Sequence, residues 1–175
     1  MDEWHVGDPA DWGDFVGVPD IAYMGYLDDD EEEEDNNYTH YSRSTISYVG
    51  ALNYYGEKNY DEALKLINDA LRDDSDSSIY LNLKALILNG LTKNDEAKEY
   101  FDKSLVIKWS KVVVENKARM IKEWVEYTLK YDWNGDLQKM AELLNEAIDD
   151  LSTLSETDED MKSYKKLLNE VQDSL

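Results

Sequence analysis

One short phrase occurs twice at a fixed distance: Asp61-Glu62-Ala63 returns as Asp95-Glu96-Ala97, 34 residues later. The same shift carries Ala51 onto Ala85, Ala70-Leu71 onto Ser104-Leu105, and Ile67 onto Phe101. A period of this length excludes most folds, because each copy holds one small supersecondary unit that must bury its apolar face on its neighbours. Small residues (Ala51, Ala63, Ala70; Ala85, Ala97, Ser104) let backbones approach. Larger ones (Tyr54, Tyr60, Ile67; Leu88, Phe101) fill the space between them.

Each unit reads as two helices. Ala63, Leu64, Ile67, Ala70 and Leu71 fall at the i, i+3, i+4, i+7 spacing of one helix face. Asp61 and Glu62 lie in a first turn, where the helix dipole favours negative charge. The pattern predicts helices over about 45–55, 60–72, 78–89 and 95–107, with Gly56 and Gly90 as stop signals. A third copy is stretched: Asn145-Glu146-Ala147-Ile148 echoes Asn68-Asp69-Ala70-Leu71 at a shift of 77, nine more than two periods. Its first helix is expected over about 110–131, ended by Asn134-Gly135. Its second is expected over 136–151, and a last helix over 157–174, with Ser155 and Thr157 as N-caps.

A 34-residue helix–turn–helix period with this alternation of small and large positions resembles the tetratricopeptide repeat family. The sequence departs from that family where the proline usual after the second helix is replaced by Ser75 and Trp109, and where a bulky position early in the first helix is Ser47, though Leu81 in copy two. The resemblance implies an all-α fold: antiparallel helix pairs stacked as a short right-handed solenoid over 44–175, with repeats at about 44–77, 78–111 and 112–154 and a C-terminal capping helix. It also implies a protein-binding scaffold or adaptor, not an enzyme, whose first helices line a concave groove. The groove residues would be Tyr48, Leu52 and Tyr55, then Asn82, Leu86 and Asn89, then Asn116 and Met120. Asparagine amides suit the backbone of an extended peptide, and Leu and Tyr supply apolar contact. Some members of the family hold acidic chaperone C-termini with a clamp of Lys, Arg and Asn. Here residues 44–56 contain no basic side chain and 78–89 contain only Lys84, so the expected ligand is neutral, apolar or basic.

The first 40 residues differ from the rest. They hold 14 Asp/Glu and no Lys or Arg, whereas residues 41–175 hold 26 acidic and 18 basic side chains. Both prolines, Pro9 and Pro19, lie there, and the uninterrupted run Asp28–Asp35 reads as a self-repelling solvated spacer. Ahead of that run, Trp4, Trp12, Phe15, Tyr23 and Tyr26 are too apolar for an inert linker. They are candidates for a recognition element, either docking on the chain's own groove or folding onto another protein. A third possibility is a structural role, with self-association through the long first helix of the third pair.

The remaining signals are exclusions. A formal net charge of -22 disfavours nucleic acid and anionic membrane surfaces. With no cysteine there is no thiol chemistry or disulfide, which fits a cytoplasmic protein. The N-terminus has no signal-peptide pattern, and no run of apolar residues is long enough to span a bilayer. His5 and His40 have no metal-ligand spacing, and no cofactor or metal is expected. Asp132, Asn134 and Asp136 open like a calcium loop, but Leu137 and Leu143 stand where Gly and Glu are needed, which leaves a helix-capping turn. Trp109 and Trp124 are expected in the core.

Overall fold

A computed structural model describes residues 41–131, 135–154 and 158–175. Among them are seven helices and no strand: α1 (Arg43–Gly56), α2 (Tyr60–Asp73), α3 (Ser78–Gly90), α4 (Asn94–Ile107), α5 (Lys111–Tyr131), α6 (Leu137–Ser152) and α7 (Asp158–Asp173). The fold is all-α, with consecutive helices packed together. The closest associations are α1 with α2, α3 with α4, and α6 with α7, and α2 joins α3 as α4 joins α5. The odd-numbered helices also touch in sequence, α1 to α3, α3 to α5 and α5 to α7, so they form one layer. The aromatic and acidic stretch 1–40, with Trp4, Trp12, Phe15, Tyr23 and Tyr26, and the positions Asn134, Ser155 and Thr157, lie outside the described residues.

The 34-residue period is visible in the backbone. After α1, Asn59 N–H donates to the Tyr54 carbonyl (2.8 Å) and Lys58 N–H to that of Tyr55 (3.0 Å). After α3, Lys93 donates to Leu88 (2.9 Å) and Thr92 to Asn89 (2.9 Å). This paired 6→1 and 5→2 arrangement satisfies helix-end carbonyls and requires a left-handed residue. That residue is Lys58 (φ 60°) in the first turn and Thr92 (φ 59°) in the second. The expected roles of Gly56 and Gly90 are therefore corrected: both sit inside the last helical turn. Gly90 has a different purpose, since a Cβ there would lie 2.5 Å from the Tyr60 ring. The close approach of α2 to α3 demands glycine.

The even helices insert the same three positions into the core. Ala63, Ile67 and Ala70 of α2 are matched by Ala97, Phe101 and Ser104 of α4, all fully buried. Met140, Leu144 and Ala147 of α6 repeat them with nine extra residues. The hydroxyl at the Ala-to-Ser exchange is satisfied, because Ser104 Oγ donates to the Ser78 carbonyl at 2.8 Å. Helix starts follow local capping. Ser42 Oγ accepts from Thr45 N–H (3.2 Å), which starts α1 two residues before the expected Thr45, and Asp136 accepts from Lys139 N–H (3.0 Å). Asp136 thus caps α6, as the capping reading of that segment expects.

The third pair is attached differently from the first two. Lys117 of α5 stands 34 residues after Leu83, a fully buried core residue. Its side chain is only 4% exposed, and its Nζ meets Asp102 of α4 (2.7 Å) and Glu146 (2.6 Å) and Asp150 (3.0 Å) of α6. Lys98 adds contacts to Asp102 (2.9 Å) and Glu146 (2.8 Å). Burial alone would lower the Lys117 pKa, but the hydrogen bonds to Asp102, Glu146 and Asp150 outweigh it and hold the ammonium above its ordinary value. For Asp102 and Glu146, burial acts upward and the two lysines act downward, with a net lowering.

Candidate functional site

The eight groove candidates all fall on α1, α3 and α5, but at different depths. Tyr48, Asn82 and Asn116 occupy equivalent positions one period apart and are 4%, 3% and 2% exposed. One turn further along, Leu52, Leu86 and Met120 form a second buried row. Only Tyr55 and Asn89, another turn on, reach the surface, each half-buried. The arrangement is a floor of two rows and one accessible row.

The polar row of the floor is incompletely bonded. Tyr48 Oη, Asn82 Oδ1 and Asn116 Nδ2 are buried without a hydrogen-bond partner. Asn116 uses its other amide atom, accepting from Arg119 Nη2 at 3.0 Å. Tyr48 packs its ring on Tyr80, centroids 4.9 Å apart and 30° between planes, and burial raises its phenol pKa. A buried donor or acceptor left unmade costs roughly 1–3 kcal/mol, and native interiors hold few of them. Three at one repeat position are a property of this face.

The accessible row extends beyond the residues that the sequence singled out. Glu123 lies 34 residues after Asn89, on α5 beside α3, and the Asn89 side chain helps to hold its carboxyl down. Burial raises the Glu123 carboxyl above its ordinary pKa, and Arg119 opposes that shift. Tyr55, on the other side, is pushed up to about 12 by burial and by Tyr60, with Arg119 opposing. Tyr164 of α7 is likewise pushed up to about 12 by burial, within the field of Arg119 and Glu123. Lys122 reaches Ser163 Oγ at 3.2 Å. The surface therefore runs Tyr55, Asn89, Arg119 and Glu123, and then Tyr164. Glu123 could have been found by extending the period one step past Asn89. Tyr164 could not, because the stretched third copy breaks the register before α7.

Trp109 is a correction. It is 60% exposed, in the Lys108–Ser110 connection after α4, where no helix covers it. Trp124 is partly buried and packs against the core, with Lys139 Nζ 4.8 Å from its ring centre. Among the described residues, no group of three His, Asp or Glu could hold a metal ion, and no helix is long and apolar enough to cross a membrane. Compared with protein-family models and with curated protein sequences, the chain matches none.

Proposed function

We propose that this chain is a tetratricopeptide-type interaction scaffold that takes an extended segment of another protein along the face formed by α1, α3 and α5. The observation that carries this reading is the accessible row Tyr55, Asn89 and Glu123, which recurs one period apart on α1, α3 and α5 above the buried floor. An extended peptide offers alternating N–H and C=O groups, and the Asn89 amide and the Glu123 carboxylate offer donors and acceptors to them. Tyr55, Asn89, Arg119 and Glu123 are the groups such a segment meets first. Their mixture of ring, amide and both charges suits a neutral, apolar or basic ligand in a chain of net charge -22. The reading assigns no catalysis and no cofactor, and it places the protein in the cytoplasm. The aromatic residues Trp4, Trp12, Phe15, Tyr23 and Tyr26 are the alternative recognition element: they serve as a segment competing in cis for this face, or as a hook for a separate partner.

The test is affinity capture by the full chain, with Tyr55→Ala/Asn89→Ala compared with Asn68→Ala/Glu99→Ala on the even helices. The expected result is loss of the captured protein only with the first pair. Equal capture by both variants overturns the assignment of the face. Leu86 is unsuitable as a probe, because it is buried and its truncation would unsettle the fold itself.

A further inference from the structure

The end of α4 leaves apolar surface uncovered. Val106 is 87% exposed, Ile107 45% and Trp109 60%, on neighbouring positions of the last helical turn and the connection after it. Exposed apolar groups gathered in this way, with a charged rim, mark an interaction surface. The rim here is basic. Residues 103–112 hold three lysines and no carboxylate, in a domain where acidic side chains outnumber basic ones 26 to 18. Lys103 and Lys111 reach Glu99 (4.0 Å) and Glu115 (3.3 Å) on their own helices, and both stay exposed. Among the described residues Lys108 meets no carboxylate, and it too is exposed. The patch is apolar in the middle and positive at its border, on a chain that is strongly negative elsewhere.

We infer that this patch is a docking site for the chain's own residues 21–35, with the apolar part of that segment on Val106, Ile107 and Trp109 and its acidic part against Lys103, Lys108 and Lys111. Charge and order choose the occupant. Ile21, Tyr23, Met24, Tyr26 and Leu27 run directly into the acidic stretch Asp28–Asp35, so an apolar block borders a negative one as the patch borders apolar on positive. The α1/α3/α5 face offers less counter-charge, since residues 44–56 hold no basic side chain and 78–89 only Lys84. Reach allows it. Ser104 Oγ in the last turn of α4 bonds the carbonyl of Ser78, the first residue of α3, so the end of α4 lies at the edge where the odd helices begin. Arg43, Ser77 and Lys111 are equivalent positions at that edge, and the segment joins the fold at α1, two helices from Lys111. That separation is about 20 Å at roughly 10 Å per neighbouring helix. Residues 28–40, extended at about 3.3 Å each, span roughly 40 Å. Asp73, Asp74 and Asp76 in the α2–α3 connection repel the acidic run, and the lysines beyond them attract it. A tether this short keeps the local concentration near millimolar, so modest contacts suffice. A second copy is a poorer occupant, because each chain carries a net charge of -22. Docked at this edge, the segment does not compete for the α1/α3/α5 face, which stays open to another protein, and either assignment can fail without the other.

The chain has no cysteine, so a nitroxide can be placed at one chosen position. The experiment attaches it to Asp20→Cys in the ¹⁵N-labelled full chain and reads the broadening of each amide. Expected is the strongest broadening at the amides of residues 103–111 and at the Trp109 indole N–H. Ile107→Ser with Trp109→Ser should abolish that preference. Lys108→Glu, a change on an exposed side chain, should weaken the docking about threefold, the size of an exposed charge contact, and it decides alone if the double variant does not fold. Strongest broadening at Tyr55, Asn89 and Glu123 would mean that the segment lies on the α1/α3/α5 face, and would overturn the assignment. Broadening without a preferred place, or unchanged in both variants, would overturn it too. In a mixture of spin-labelled unenriched chain with unlabelled ¹⁵N chain, residues 103–111 should stay sharp. Broadening there would assign the patch to the segment of a second copy and contradict docking within one chain.

Discussion

The first two helix pairs and the third solve the same packing problem with different chemistry. Between the first pairs, the joint is steric: Gly90 admits the Tyr60 ring, and Leu83 is buried in the apolar core. At the third pair, the Leu83 position is Lys117, and an ammonium with three carboxylates from α4 and α6 holds the helices. An apolar joint tolerates no change of volume. An ionic joint tolerates no loss of a partner and depends on pH. The difference teaches that a sequence period can continue through a joint whose interactions have been replaced.

The sharpest way to break this comparison is to truncate the two equivalent residues. Leu83→Ala and Lys117→Ala should both destabilise, Leu83→Ala by about 3 kcal/mol within the roughly 2–5 of buried leucines. Lys117→Ala should also cost about 3 kcal/mol, at the low end of the roughly 3–5 for a broken buried pair because its carboxylates keep some solvent. Urea unfolding followed by circular dichroism measures both. Equal sensitivity of the two losses to pH would remove the distinction between the joints.

Acid titration tests the same point without substitution. The folded pKa values of Asp102 and Glu146 are lowered, so their contribution is present above the unfolded values of about 4 and is lost as pH falls through the folded ones. Lys117 is raised, so its contribution persists below its unfolded value of about 10.5 and fades only above it. Hydrogen exchange below pH 4 should therefore show α5 and α6 losing protection before α1–α3. Uniform loss would contradict the ionic joint.

A steric effect of intermediate size is expected at the first joint. Gly90→Ala should cost about 1–2 kcal/mol, because the new methyl overlaps the Tyr60 ring. The double variant with Tyr60→Ala should not add to the Tyr60→Ala loss, a coupling read by a double-mutant cycle. Full additivity would mean that the ring and the glycine are independent. The smallest effect belongs to the turns. Thr92→Gly should stabilise by about 0.5–1 kcal/mol, since it relieves a β-branched residue at positive φ, and Lys58→Gly should gain less. Thermal melting in the absence of partner checks the order.

Most of the fold was legible from sequence. The period, the small residues and the acidic first turns put the helices within about two residues of where they lie. The stop signals were misread at Gly56 and Gly90, because Lys58 and Thr92 take the left-handed conformation that glycine usually supplies. Lys117 was illegible, since a lysine inside a helical stripe gains meaning only when carboxylates from two other helices converge on it. The site was legible in part. The resemblance put the eight candidates on one layer of helices, but it did not separate the buried floor at Tyr48, Leu52, Asn82, Leu86, Asn116 and Met120 from the accessible Tyr55 and Asn89. Depth depends on how tightly neighbouring pairs close, and the period does not carry that information.

The central claim is that a partner lies along the odd-numbered helices, and hydrogen exchange of the full chain with and without its captured partner tests it most directly. The account predicts added protection at three places one period apart, over residues 48–55, 82–89 and 116–123, with α2 and α4 unchanged. Protection confined to α2 and α4, or absent from all three stretches, would contradict it.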